Sequence, residues 1–321
     1  MPVGVFRRFY PVPLAELVAS STEPAKDGSS HTRPSAAALA PLRESDALAA
    51  LDRVAPLPTV AQKILTLVDS QTASTTDLER LVRLDPVIAA KLLKLVNSPF
   101  YGLPNHVSSV AQAVTMIGFA GVKSLVVAAS ISDVLAQDCS GYGFSERGMW
   151  KSAIAGAAIA RALAQQAGIA NDECEEYFLA ALMRDIGVLA LGPFLVKRGQ
   201  RLTRDSGADL TSRERLALGF DHCWAGERLG ERWRLPPRLR LCLTKHHRGA
   251  AGASPEDARL VAGVRLADCL SAASRIGLQA DHPFDVRVDP PLIHAAGLDG
   301  TKFQVLIQRL PAVIVAAETQ V

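Results

Sequence analysis

The sequence predicts an all-α fold. Three observations carry this: apolar residues recur at spacings of three and four, no run alternates apolar and polar residues convincingly, and the composition suits helix packing. Of 321 residues, 49% are hydrophobic and only 5% aromatic, with Ala and Leu abundant. This length supports a substantial core in one large or two medium domains. We expect two packed helical subdomains, residues 46–138 and 139–321, the second with a C-terminal extension, after a flexible leader over residues 1–45.

The leader is rich in Pro, Ser, Thr, Ala and Gly, and such a segment buries too little apolar surface to offset its ordering entropy. Phe6, Phe9 and Tyr10 are its exceptions. From Asp46 helical periodicity takes over. Val60, Ile64, Leu65 and Val68 form one stripe, and Leu78, Leu81 and Val82 another after Ser74-Thr75-Thr76-Asp77. Asp85 followed by Pro86 reads as a helix start, because Asp accepts from first-turn amides and Pro needs no amide partner there. Asn97-Ser98-Pro99 stops that helix, and Phe100-Tyr101-Gly102 makes an aromatic turn. Val107, Val110, Val114 and Ile117 then mark a helix that Gly118 ends or bends, and a further helix runs from Gly121 to about Ala136.

Cys139 to Gly143, with two glycines, is the expected boundary between the subdomains. Beyond it, Ser145 is placed to cap a helix carrying Trp150, Ile154, Ala157, Ala158 and Leu163. A second helix is expected from about Asp172 to Leu191, closed by Gly192-Pro193. An Arg-rich stretch follows, then a helix with Trp224, Leu229 and Trp233. Pro236-Pro237 opens a helix ending in His246-His247, and Pro255 opens one with Leu260, Val264 and Ala267.

Composition excludes some classes. A net charge of +3 names no partner, and the five cysteines are scattered without a CxxC pair, which argues against a zinc ribbon or disulfide frame and for a reducing compartment. Arg7 and Arg8 are followed only by a short apolar piece broken by Pro11, Pro13 and Glu16, unlike a signal peptide. The uncharged stretch Leu95 to Val122 holds Asn97, Pro99, Gly102, Pro104 and Asn105, so it is not one spanning helix. We expect a cytoplasmic protein with no membrane partner.

Chemistry is expected around two carboxylates. Asp185 falls on the stripe of Phe178, Leu182 and Leu189, and Asp268 on that of Leu260 and Val264, so both face the core and need partners. Candidates are Arg184, His222, His246 and His247. His246-His247 with Cys242 one turn back would suit a metal, although helix-end packing is the simpler reading. The tryptophans read as core. The arginines from Arg198 to Arg240, among them Arg204, Arg213, Arg215, Arg228, Arg232, Arg234 and Arg238, are interrupted by Asp205, Asp209, Glu214, Glu227 and Glu231. They read as a solvated, salt-bridged surface, with nucleic-acid or nucleotide binding as the alternative.

The Asp85-Pro86 start, the paired-leucine helix and the Asn97-Ser98-Pro99-Phe100-Tyr101-Gly102 elbow, leading to Met116-Ile117-Gly118, together resemble the HDOD domain, the HD-related output domain of bacterial signalling proteins. The resemblance covers roughly Leu51 to Leu270. It implies an HD-domain-like second subdomain related to metal-dependent phosphohydrolases. By that likeness the first metal-binding His falls on Ser152, the His-Asp pair on Arg184-Asp185 and the closing Asp on Asp268. His222 and His246-His247 correspond to intermediate histidines of the HD-GYP branch, which hydrolyses cyclic di-GMP, while the GYP motif itself is missing. Ser is a poor ligand and Arg has no lone pair to give. The expectation is therefore a degenerate site with no metal, cofactor or catalytic residue, and a non-enzymatic module that binds regulatory proteins. The rival is a phosphohydrolase with an unusual metal centre at Asp185, Asp268, His222, His246 and His247.

Overall fold

In the computed structural model, residues 40–66, 74–99, 101–202, 209–280 and 288–318 are described. Phe6, Phe9, Tyr10, Val68, Phe100, Arg204 and Asp205 lie outside them, as does most of the expected leader. Among the described residues there is no strand, only an isolated bridge between Phe144 and Leu278. The fold is all-α, as expected.

The first part of the chain forms α1 (Glu44–Arg53), α2 (Thr59–Thr66), α3 (Thr75–Arg83), α4 (Pro86–Val96) and α5 (Val110–Leu135). Ser74 and Asp77 form a reciprocal capping box at the start of α3. Asp85 accepts from the amides of Val87 and Ile88 at 3.0 and 3.1 Å, with Pro86 as the first helical residue of α4. Both starts were legible in the sequence. Gly118 adopts the non-helical values φ 80° and ψ 164° inside α5, so two helical segments meet there across a kink, where the sequence places the end or bend.

The elbow between α4 and α5 is held by Asn97. Its amide nitrogen donates to Leu93 O and Val107 O, and its carbonyl oxygen accepts from the Val107 amide at 2.7 Å. Arg161 stacks over the half-buried Tyr101 ring at 5.2 Å. The elbow is thus tied both to α5 and to the second half of the protein.

The second part contains a short 3₁₀ turn (Ser140–Tyr142), α6 (Gly148–Ala167), α7 (Asn171–Met183), α8 (Val188–Lys197), α9 (Leu210–Leu218), α10 (His222–Arg232), α11 (Pro237–Lys245), α12 (Pro255–Ala273), α13 (Pro290–Ala295) and α14 (Gly300–Glu318). Helix α6 is central and packs against α7, α12 and α14. Its run of Ala and Gly allows such close neighbours, and Ala155, Ala157, Ile159 and Ala160 are fully buried. Helix α5 packs on α2, α3, α4 and α7, which joins the two parts through one continuous core. Helix α1 lies against α8 and α10.

Two local expectations are corrected. Ser145 does not cap α6, whose preceding residue Arg147 is left-handed; its hydroxyl donates instead to Gly277 O at 3.1 Å. The expected helix Asp172 to Leu191 is broken over Arg184–Gly187, and α8 then continues through Gly192-Pro193 to Lys197. Contact with α10 explains the break, because a Cβ at Gly187 would lie 2.0 Å from His222 O. Val110–Leu135 and the run Asn171–Lys197 are long and apolar enough to cross a membrane, but both are largely buried inside the protein, as core helices are.

Replacing Asn97 by Ala removes three hydrogen bonds that hold the elbow, and unfolding by urea should show a loss of about 2 to 3 kcal/mol. An unchanged midpoint would mean that the elbow is held by its aromatic ring alone.

Candidate functional site

Four elements converge on one buried cluster. The α7–α8 break supplies Arg184 and Asp185, α10 begins with His222, α11 ends at His246-His247, and α12 carries Asp268. Arg184 is 1% exposed, Asp185 7%, Asp268 4%, and His222 and His246 are fully buried. The sequence expectation that the two aspartates face the core is met.

Arg184 lies between the carboxylates. Its Nε is 3.1 Å from Asp185 Oδ2 and donates to Asp268 Oδ1 at 3.0 Å, while Nη1 donates to Ala181 O at 2.7 Å. Room for this guanidinium comes from α6, where a Cβ on Gly156 would sit 2.3 Å from Nη1. One turn earlier, Ser152 faces α12: its hydroxyl is 3.5 Å from that of Ser271, which in turn lies 3.2 Å from Ser152 O. Burial opposes ionisation of Asp185, but Arg184, with His246 and His222, outweighs it and holds the carboxyl well below its usual range.

The opposite side of Asp185 meets the histidines. Asp185 Oδ1 is 3.5 Å from Nε2 of both His222 and His246, which are 3.3 Å from each other. Each outer nitrogen is held from behind. Nδ1 of His222 is 2.7 Å from Glu214 Oε2, Nδ1 of His246 is 2.8 Å from Cys242 O, and Nδ1 of His247 is 3.2 Å from Asp209 Oδ1. One ligand atom from each of Asp185, His222, His246 and His247 lies within 4.8 Å of the other three. Burial disfavours charge on His222, yet Glu214 overcomes this and raises its pKa well above the ordinary value. His247 is driven the other way, to about 4, by burial and then by the charge of His246.

Sequence reasoning missed Glu214 and Asp209 as members of the site. Both were counted among acids on a solvated surface, but Glu214 is fully buried and also accepts from Tyr142 Oη at 2.7 Å and from the His222 amide. The signal was present: Leu210, Glu214 and Leu218 are spaced by four, and both leucines are core. Gly156 was missed as well. Elsewhere several arginines of the Arg-rich stretch pair with acids, Arg215 on Asp221, Arg232 on Asp52, Arg238 on Glu176 and Asp257, and Arg240 on Glu231, whereas Arg198 donates to the carbonyls of Ala217 and Ala40.

The profile of the HDOD domain matches residues 54–249. Among solved structures, an HDOD domain protein of unknown function from Geobacter sulfurreducens superposes with a TM-score of 0.68 at 22% identity, covering 86% of this chain and 97% of the other. A Shewanella amazonensis SB2B protein whose name carries a provisional phosphohydrolase assignment gives 0.63 at 20% identity, covering 86% and 98%. A Marinobacter aquaeolei VT8 protein provisionally named for signal transduction gives 0.63 at 23% identity, covering 86% and 65%. An uncharacterised Treponema pallidum (strain Nichols) protein is 21% identical over 202 residues, which are 61% of this chain and 38% of that protein. This chain therefore spans well under half the length of that relative.

Arg184→Ala leaves two buried carboxylates short of a counter-charge and should cost about 3 to 5 kcal/mol at neutral pH. Asp185, with its lowered folded pKa, contributes stability above the unfolded value near about 3.9, and loses it as pH falls through the folded value. The variant lacks that contribution, so its deficit should be full at neutral pH and shrink below about pH 4. Melting curves from pH 7 to pH 3 measure this.

Proposed function

The chain belongs to the HDOD family, and from that premise we propose that it is a non-hydrolytic signalling module acting in the cytoplasm through contacts with regulatory proteins. The observation that carries this reading is the placement of Arg184. Hydrolysis at a metal centre needs lone-pair ligands around Asp185 and Asp268 and a position open to water. In this chain a guanidinium fills the space between the two carboxylates, and Ser152 turns its hydroxyl toward Ser271. Arg is a donor only, so it neutralises the carboxylates but cannot ligate a metal beside them.

A fold that keeps a large helical core but fills its reaction pocket still presents surfaces to other proteins. The provisional signal-transduction name of the Marinobacter protein accords with that role. Phosphohydrolase names among the structural relatives give the competing reading, with the imidazole cluster as its basis. Nucleic-acid binding has less support, since arginines of the Arg-rich stretch are paired with acids.

Assays of the purified protein with Mn²⁺, Fe²⁺ or Zn²⁺ should show no hydrolysis of cyclic dinucleotides, nucleoside phosphates or a generic phosphodiester. Turnover that disappears in Asp185→Ala would establish the phosphohydrolase reading in its place.

A further inference from the structure

We infer that the cavity between the two subdomains is a binding site for a small organic cation, a protonated amine carrying a compact apolar body. Neither reading of the imidazole centre enters this inference, because the cavity shares no lining residue with that centre.

The cavity, of about 330 Å³, lies where α7 packs against both α5 and α11, with Leu65 of α2 also in its wall. Such a volume suits a small molecule, and seams between structural units are where such sites are commonly built. Its apolar wall is Leu65, Leu179 and Leu239, all core residues. These side chains can cover a ring or a short hydrocarbon, but they give it no orientation.

Orientation comes from charge. Four carboxylates line the cavity, those of Asp172, Glu173, Glu175 and Glu176, against two cations, Lys123 and Arg238. Asp172 and Glu173 lie in the first turn of α7, where acids stabilise the amide end of a helix in any case. Glu175 has no such explanation. It is 4% exposed, and the Nε of Arg161 donates to its Oε1 at 2.6 Å. Its Oε2 is buried with no hydrogen-bond partner among the described residues. An unmet carboxylate oxygen at such depth is costly, and a donor from outside the chain would satisfy it.

Arg238 does not fill that need, since it is committed to Glu176 and Asp257. Burial pushes the carboxyls of Glu175 and Glu176 above their ordinary values in spite of Arg161 and Arg238, so both favour a further positive charge. An anionic ligand would meet the excess of carboxylates, and a neutral one would leave that excess uncompensated. Because the lining comes from both subdomains, the occupant bridges them.

The test follows the melting temperature of the full chain during titration with phenethylamine, phenethyl alcohol and hydrocinnamate, three probes of similar shape that differ in charge. A saturable rise with the amine, absent with the alcohol and the carboxylate at equal concentration, is expected. Glu175→Gln keeps the shape and removes the charge, and should weaken amine binding about 10- to 100-fold, the loss of one charged hydrogen bond. Glu173→Gln, at the exposed rim of the cavity, should weaken it several-fold, whereas Glu227→Gln, at an exposed acid of α10 outside the cavity, should bind as wild type. No saturable response to the amine, or an equal response to the alcohol, overturns the cationic site. Should Glu175→Gln fail to fold, equal amine binding by Glu173→Gln and Glu227→Gln overturns it as well.

Discussion

A positive charge buried between two carboxylates is the constraint on which the centre of this protein depends. Neither Asp185 nor Asp268 can remain ionised in the core alone, and Arg184 Nε donates to Asp268 Oδ1 and lies 3.1 Å from Asp185 Oδ2, while Nη1 anchors the guanidinium to Ala181 O. The surrounding backbone follows. Helix α7 stops where Arg184 must turn inward, Gly156 on α6 leaves the volume for its guanidinium, and Gly187 allows α10 to approach closely enough to bring in His222. Arg184 and its partners thus link α6, α7, α10 and α12.

The same constraint separates architecture from chemistry. The HDOD family and its structural relatives define a helical frame that brings one set of elements to one place. What that place does is decided by a few side chains. A guanidinium cannot exchange ligands or donate a lone pair, so the Asp185–Asp268 half of the centre is fixed. The half beyond Asp185 holds three imidazoles, each with its Nδ1 set against an oxygen of Glu214, Cys242 or Asp209.

Local signals in the sequence were read well where the physics is local. Asp85 with Pro86, the Ser74–Asp77 box and the bend at Gly118 each depend on a few adjacent residues, and each was legible. The core-facing aspartates were legible too, because helical spacing put them among leucines. Glu214 was lost because its neighbours in sequence are arginines and composition outweighed spacing, although Leu210 and Leu218 marked its face. The break after Met183 and the role of Gly156 were not legible, since both answer to contacts with helices remote in sequence. Pairing of each Nδ1 with its acceptor likewise belongs to three dimensions only.

The central claim is that Arg184 and Asp268 interact directly as a buried pair. A double-mutant cycle of Arg184→Leu and Asp268→Asn, read from urea unfolding, tests it most directly. The account predicts that the double variant is more stable than the sum of the single losses implies, with a coupling of about 1 to 3 kcal/mol. Strictly additive losses would contradict it, because the guanidinium and the carboxylate would then be stabilised independently of each other.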